Sequence, residues 1–176
     1  MYFQPNEVKL ESPPTKVGDW FALQVRLANY SEVYSWQFKM LFNATLMNCT
    51  SCSYTPTADF IFGADFTPVT PTINNVEGWV LFYSNSMPWA PFSGTDIGLA
   101  KLNFTIKAVP PEGNTYSSLF TFAPESPAPG TWIQWENNSL LPLNSHTATY
   151  EIESVPPPAT YLELSPTENL LPAIAG

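Results

Sequence analysis

Cys49 and Cys52 form a Cys-x-x-Cys pair, a spacing that suits zinc binding, redox exchange or a disulfide. A zinc site needs four ligands, and the only histidine, His146, cannot complete one with these two. A thioredoxin-type pair lies at a helix N-terminus, and the flanking residues have no helical pattern. A short disulfide and two idle thiols remain. We predict the disulfide, because other features of the chain favour an extracellular protein.

Acid–base and nucleophilic chemistry have little support in this sequence. Asp59 and Asp65 flank an apolar stretch, and two solvated loop carboxylates are the simpler interpretation. His146 lies in a polar turn, where a surface or capping role is simpler than a place in a catalytic triad. The chain has no glycine-rich phosphate loop and no Asp-rich calcium loop. We therefore predict no enzymatic activity and no cofactor, with a structural calcium held by scattered loop carboxylates as the open alternative.

The overall charge excludes two classes of partner. The 176 residues carry a net charge of −9 with only six Lys and Arg, which are scattered singly. Such a chain lacks the basic patch that binds nucleic acid or an anionic membrane. No apolar run reaches the roughly 18 residues needed to cross a bilayer, so we predict no membrane insertion.

The surface has few charges to keep it hydrated, because charged residues make up only 12% of the chain. Five Asn-x-Ser/Thr sequons occur, none with a central proline, and N-linked glycans on them would supply hydration. We therefore predict a glycosylated protein located outside the cell or on its surface. The predicted acceptors are Asn29, Asn43, Asn48, Asn103 and Asn137.

The elements that position these residues are strands. In residues 34–42 every second side chain is large and apolar, including Trp36, Phe38 and Met40, which predicts an extended strand with one buried face. Similar strands are predicted at 20–27, 46–54, 99–109 and 148–153, with a hairpin over 72–83, a turn at 29–32 and a long loop over 84–95. Nine or ten short strands without a convincing helix predict an all-β fold, an antiparallel β-sandwich.

A proline-rich segment marks the end of the predicted domain. We expect residues 1–4 to be a tag remnant or disordered start, residues 5–154 to form the sandwich and residues 155–158 to be a proline-rich linker. Residues 159–176 echo the start of the domain, so they are predicted to be the first strand of a second repeat or a donated strand. Its donor residues would add to a sheet edge of the same molecule or of a neighbour. They are Thr160, Tyr161, Leu162, Glu163 and Leu164.

Residues 7–153 resemble the cohesin-like domains repeated in archaeal surface proteins. The resemblance lies in Ser12-Pro13 and Gly18 after the opening strand, in residues 29–50 around the Trp36 strand, and in residues 97–107. It implies a jelly-roll sandwich of about nine strands that binds proteins and has no catalytic activity. The sequons, the cysteine pair and the long proline-rich loops differ from the bacterial cellulosomal branch. These differences weigh against carrying dockerin binding over to this chain.

We therefore predict a structural or adhesive module of a surface layer or filament, whose partners are proteins, including copies of itself or a neighbouring repeat. Carbohydrate binding is the alternative, since sugar-binding sandwiches present flat aromatic rings to pyranose faces. Trp36 and Trp79 are assigned to the core, and Trp20 is undecided. The candidate sugar platform comprises Trp89, Trp132 and Trp135.

Overall fold

The computed structural model describes residues 1–87, 90–124, 129–134 and 145–155. These residues form eleven β-strands and one turn of 3-10 helix at Thr57–Asp59. The strands are β1 (Tyr2–Gln4), β2 (Glu7–Ser12), β3 (Trp20–Val33), β4 (Ser35–Leu41), β5 (Met47–Tyr54), β6 (Thr72–Asn74), β7 (Trp79–Asn85), β8 (Phe92–Ile106), β9 (Thr115–Phe122), β10 (Trp132–Gln134) and β11 (Ala148–Ser154).

The strands form two sheets packed face to face. The smaller sheet has the order β1-β3-β8-β5, and the larger has the order β2-β11-β9-β4-β7-β6, with β10 also pairing with β4. Every pairing is antiparallel except that of β11 with β2, which is parallel. The predicted all-β jelly-roll sandwich is confirmed.

The core between the sheets is built by the alternation seen in the sequence. On β4, Trp36, Phe38 and Met40 are each 0% exposed. The rings of Trp36 and Phe38 stack with centroids 5.8 Å apart, and Phe82 of β7 meets Trp36 edge-on. Each side chain of this size contributes about 1.5–3 kcal/mol through burial, so the alternation on β4 stabilises this layer.

The N-terminal residues belong to the fold, so residues 1–4 are not the disordered start that was one of the two predicted alternatives, and the tag remnant stays a prediction. Strand β1 pairs with β3 in the register Phe3↔Val25. The Phe3 side chain is 1% exposed, and its ring stacks on Phe122 with centroids 4.2 Å apart. Three residues are too few to display a period of two, so the sequence pattern missed this strand.

Strands β3 and β8 are longer than predicted. The residues expected to form a turn, 29–32, lie within β3, where Asn29 and Glu32 both have a φ of 49° and the register with β8 shifts. The residues expected to form a loop, 84–95, contain the end of β7 and the start of β8. Tyr30 packs so closely over Gly94 that a Cβ there would lie 2.5 Å from its hydroxyl oxygen. This close approach explains why a glycine lies inside the strand.

The connection over residues 55–69 contains the turn of 3-10 helix and packs against the core. Phe60, Ile61 and Phe62 are buried, each 4% exposed or less. Phe60 lies with its ring centroid 4.9 Å from Tyr54 and 4.8 Å from Phe66.

Several predictions lie outside the described residues. They concern Trp89, Trp135, Asn137, the linker beyond Val155 and the donor strand from Thr160 to Leu164. Among the described residues, no helix has the length and hydropathy to span a membrane.

Candidate functional site

The outer face of the larger sheet has two chemically different halves. Strands β2 and β11 point alternate side chains outward, and these are mostly acidic: Glu7, Glu11, Glu151 and Glu153. Strands β4, β7, β9 and β10 present a set of outward side chains that we call the apolar half. Its members are Leu41, Trp79, Leu81, Tyr83, Leu119 and Trp132.

Exposure separates this half from ordinary surface. Leu119 is 53% exposed, Tyr83 38% and Leu41 36%. Outward positions of a half-buried strand usually carry polar residues. Contiguous exposed apolar side chains are typical of a surface that another protein covers.

The strand register brings these side chains together in rows. Gln37 is opposite Tyr83 on β7 and opposite Trp132 on β10, so two rings flank one amide. Two residues along β4, Lys39 is opposite Leu81. Side chains directly opposite on antiparallel strands lie about 4.5–5.5 Å apart at Cβ, close enough to form a continuous surface.

The apolar half continues beyond the end of β4. There Leu41 lies between Trp79 on β7 and Thr121 on β9. Leu119 lies two residues from Thr121 on the same face of β9, diagonal to Leu41. The exposed leucines are therefore neighbours although they are 78 positions apart in the sequence.

Lys39 places a cation within the apolar half. Its Nζ lies 5.0 Å from the centroid of the Trp79 ring, in the geometry of a cation–π interaction. The Nε1 of Trp79 donates a hydrogen bond to Glu77 Oε2 at 2.6 Å, which fixes the edge of the ring. The ring and the ammonium group are therefore held in place before a partner arrives.

The turn between β6 and β7 fixes Glu77. Asn74 Oδ1 accepts hydrogen bonds from the backbone N–H groups of Val76 and Glu77 at 3.0 Å each. Gly78 follows with a φ of 75°, and a Cβ there would overlap the carbonyl oxygen of Phe42. Only glycine fits, so this residue positions both Glu77 and Trp79.

Strand β10 is held against β4 by polar contacts. Gln37 Nε2 donates to the carbonyl of Gly130 at 2.8 Å, and the backbone N–H of Lys39 donates to Thr131 Oγ1 at 3.0 Å. Ser35 Oγ donates to Gln134 Oε1 at 2.5 Å. These bonds place Trp132, the one member of the predicted sugar platform within the described residues, half-buried beside Gln37.

The outer face of the smaller sheet is polar and has an ion-pair cluster. Arg26 donates to Asp59 at 2.7 and 3.1 Å and, through Nε, to Asp96 Oδ1 at 3.1 Å. Tyr2 donates to Asp96 at 2.6 Å. This hydrogen bond, together with the guanidinium, lowers the pKa of Asp96. Asp59 is therefore a structural ion-pair partner.

The structure places the other candidates for chemistry on the surface. Asp65 is exposed, whereas the carboxylate of Asp59 is paired with Arg26. His146 is exposed, and its backbone N–H donates to the carbonyl of Met1 at 3.1 Å. Within the described ranges, no three His, Cys, Asp or Glu residues are grouped so that they could hold a metal ion.

The predicted disulfide is absent from the structure, in which Cys49 and Cys52 are free and buried. Both lie in β5, where three residues of extended chain span about 10 Å, beyond the ~7 Å between Cα atoms that a disulfide tolerates. A bulge between Cys49 and Ser51 turns both thiols toward the core. Burial raises the pKa of Cys49 to about 12 and raises that of Cys52.

Four of the predicted glycan acceptors lie within the described residues. Asn29 is exposed on β3. Asn43 Oδ1 accepts from the N–H and hydroxyl of Thr45 at 2.9 and 2.7 Å. Asn48 and Asn103 both point outward from the smaller sheet. Their glycosylation stays a prediction.

Comparison with known proteins identifies the fold. The sequence profile of the Cohesin domain matches residues 6–127, well over half of the chain. The protein belongs to the cohesin family. Cohesins are non-catalytic modules that mediate protein–protein association, typically as cell-surface or extracellular components. A search of curated protein sequences found no match.

Solved cohesin structures support the same fold at low sequence identity. The third cohesin of ScaC from Acetivibrio cellulolyticus, in complex with the ScaB dockerin, is 16% identical with a TM-score of 0.57, covering 88% of this chain and 99% of that one. The OlpC cohesin from Clostridium thermocellum, in a type I cohesin–dockerin complex, is 12% identical with a TM-score of 0.58, covering 87% and 93%. A cohesin module of a family 33 glycoside hydrolase from Clostridium perfringens is 15% identical with a TM-score of 0.56, covering 85% and 91%.

Sequence reasoning missed the apolar half of this cohesin. The available signal was a leucine at an outward strand position, where a polar residue is usual. Leu41 on β4 and Leu119 on β9 are the two cases. One such leucine on its own is ordinary. The register that makes the two neighbours is a tertiary property.

Proposed function

We propose that this cohesin is a non-catalytic extracellular module that binds a protein partner through the apolar half of its larger sheet. The observation that carries the proposal is the contiguous exposure of Leu119, Tyr83 and Leu41 on one face. A partner that covers this surface gains the burial of three exposed apolar side chains at roughly 25 cal/mol per Å². Tyr83 and Trp79 supply the rigid aromatic contacts that dominate many interfaces.

The partner proposed is a dockerin-type module. The ScaC and OlpC cohesins were both solved in complex with dockerins. A partner complementary to this face has an apolar ridge that covers the leucines and a hydrogen-bond acceptor or carboxylate that contacts Lys39. The acidic half beside it favours basic groups at one end of the partner, which fixes its orientation.

The acidic half also discourages binding in other orientations. Glu7, Glu151 and Glu153 repel an acidic surface placed over β2 and β11, and Lys9 is already paired with Glu7 at 3.1 Å. We infer that specificity comes from this charge gradient across the sheet, while affinity comes from the apolar half.

Assembly on a surface layer or filament is the second part of the proposal. The described chain ends at Val155, whose N–H donates to the carbonyl of Ser12 at 2.9 Å, beside edge strand β2. Residues from Thr160 to Leu164 follow the proline-rich linker. The proposed acceptor for them is the edge of β2 that pairs with no described strand, in the same molecule or in a neighbouring copy. Deleting residues 156–176 and measuring mass by light scattering tests the intermolecular form, and unchanged assembly would contradict it.

Partner binding is tested by isothermal titration calorimetry against recombinant dockerin modules encoded by the source genome. Leu119→Asp is expected to weaken binding at least tenfold, because it places a charge within the buried patch. Thr149→Asp is the matched control, since Thr149 is exposed and directly opposite Leu119 but belongs to the acidic half. Equal affinities of the two variants would contradict the proposed face.

Carbohydrate binding remains a second candidate because of Trp132. Its half-buried ring lies in one row with Gln37 and Tyr83, which combines two aromatic rings with an amide. Affinity electrophoresis on immobilised polysaccharides tests it. Retardation that is lost in Trp132→Ala would support this function, and migration unaffected by every polysaccharide would contradict it.

A further inference from the structure

Trp20 is a large exposed ring that neither the core nor the apolar half uses. It opens strand β3 on the outer face of the smaller sheet, and 72% of it is exposed. An indole in this position presents a flat apolar face to solvent, which suits stacking against the C–H face of a pyranose ring.

The sheet register places a sequon asparagine in the same row as Trp20. Thr105 on β8 is opposite Trp20 on one side and opposite Asn48 on the other. Trp20 and Asn48 are therefore two strands apart on one face, about 10 Å between backbones. Asn48 lies between the inward residues Met47 and Cys49, so its side chain points outward.

A surface depression lies beside Trp20 and reaches Thr105, the residue opposite Asn48. It has a volume of about 500 Å³ and is lined by Gly18, Trp20, Thr50, Lys101, Asn103 and Thr105. Its lining combines one aromatic ring with hydroxyl, amide and ammonium groups, the mixture that recognises sugar hydroxyls. Thr50 and Thr105 are themselves the hydroxyl residues of the Asn48 and Asn103 sequons.

Hydrogen bonding distinguishes the two asparagines. Asn103 Nδ2 donates to Ser51 Oγ at 2.7 Å, and its backbone carbonyl accepts from Thr50 Oγ1 at 3.1 Å. The side-chain amide of Asn48 makes no such bond to the described part of the chain. In the described ranges, strand β5, which holds Asn48, is also an edge of the smaller sheet, so no described strand pairs alongside this residue.

We propose that Asn48 carries an N-linked glycan that lies across this depression, with a pyranose face stacked on Trp20. The modification forms a bond between Nδ2 of Asn48 and the anomeric carbon of a lipid-phosphate-linked oligosaccharide. It breaks the bond from that carbon to the phosphate oxygen and releases the amide proton. The glycan hydroxyls then meet Lys101 and Thr105. This inference needs the extracellular location proposed above but not the partner-binding face.

The first test uses the whole chain secreted from a yeast that performs N-glycosylation. Glycopeptide mass spectrometry is expected to find Asn48 occupied. Melting temperatures are then compared before and after enzymatic removal of the glycans, in the wild type and in Trp20→Ala. The wild type is expected to lose about 2–4 °C on deglycosylation, the shift that a domain of this size shows for one stacking contact. The melting temperature of Trp20→Ala is expected not to fall in this way on deglycosylation, because its glycan has no ring to stack on.

Two controls make the result specific. Asn29→Gln removes a glycan acceptor on an exposed part of β3 and is expected to leave the Trp20-dependent increment unchanged. Acrylamide quenching of indole fluorescence is expected to fall when Asn48 is glycosylated, because the sugar shields Trp20. An unoccupied Asn48, or an equal stabilisation in Trp20→Ala, would overturn the proposal. If a free oligosaccharide shields Trp20 of Asn48→Gln from acrylamide as well as the attached glycan does in the wild type, the proposal is also overturned, because the ligand of the depression would then be a soluble sugar.

Discussion

Lys39 Nζ lies 5.0 Å above the ring of Trp79, one strand away on the outer face of the larger sheet. The pair brings a cation against an aromatic ring of the apolar half, and Glu77 accepts a hydrogen bond of 2.6 Å from the indole. A cation held over a ring needs little further ordering when a partner docks. This prearrangement is the central local feature of the proposed binding face.

A double-mutant cycle is expected to detect this pair. Lys39→Met keeps the aliphatic stem but removes the charge, and Trp79→Leu removes the ring. We expect a coupling energy of about 0.5–1 kcal/mol from urea unfolding of the four proteins, because the pair is partly exposed. Glu77→Gln, which keeps an oxygen acceptor for the indole, is the control. Additive effects of the two substitutions would contradict the interaction.

The cysteines are expected to be free but unreactive in the native protein. Their thiols are buried, and burial raises the pKa of Cys49 to about 12, so almost no thiolate exists near neutral pH. Ellman's reagent without added reductant should label neither thiol in the folded protein and both after unfolding. A protein unreactive even when unfolded would contain the disulfide that the extended geometry of β5 argues against.

Asp96 is expected to make stability depend on acid pH. Its carboxyl pKa is lowered from 3.8 in the folded state by Tyr2 and Arg26, so its contribution is present above 3.8. That contribution is lost as the pH falls through the lower folded-state pKa, when the carboxylate gains a proton. Melting temperatures of the wild type and Asp96→Asn should therefore differ near neutral pH and converge well below pH 3.8. A difference that persists in strong acid would contradict this assignment.

Phe3→Ala is expected to destabilise the protein by about 3–5 kcal/mol, because Phe3 is 1% exposed and stacked on Phe122. The measurement is urea unfolding followed by circular dichroism. Gln4→Ala, at an exposed position of the same strand, is the matched control and should cost under 0.5 kcal/mol. Similar costs for both variants would mean that β1 adds little to the core.

The alternating strands were predictable from sequence because their periodicity is local. Trp36, Phe38 and Met40 follow one another at every second position, and the core they form depends only on which face is buried. The closing strand, with Tyr150 and Ile152 inward, was predictable for the same reason. Nothing outside each segment was needed to assign its buried face.

Features that depend on pairing were not predictable. The bulge that turns Cys49 and Cys52 to the same side exists because β5 pairs with β8 in a shifted register. Leu41 and Leu119 become neighbours only when β9 pairs with β4. A sequence does not state which strands are adjacent, so the binding face became apparent only in the folded chain.

The most direct test of the proposed binding face is methyl NMR of the cohesin titrated with a dockerin that binds it. The account predicts that the methyl signals of Leu41, Leu81 and Leu119 shift on binding. Those of Val17, which is 58% exposed but not part of the apolar half, should stay in place. Shifts at Val17 with unchanged signals from the three leucines would contradict the account.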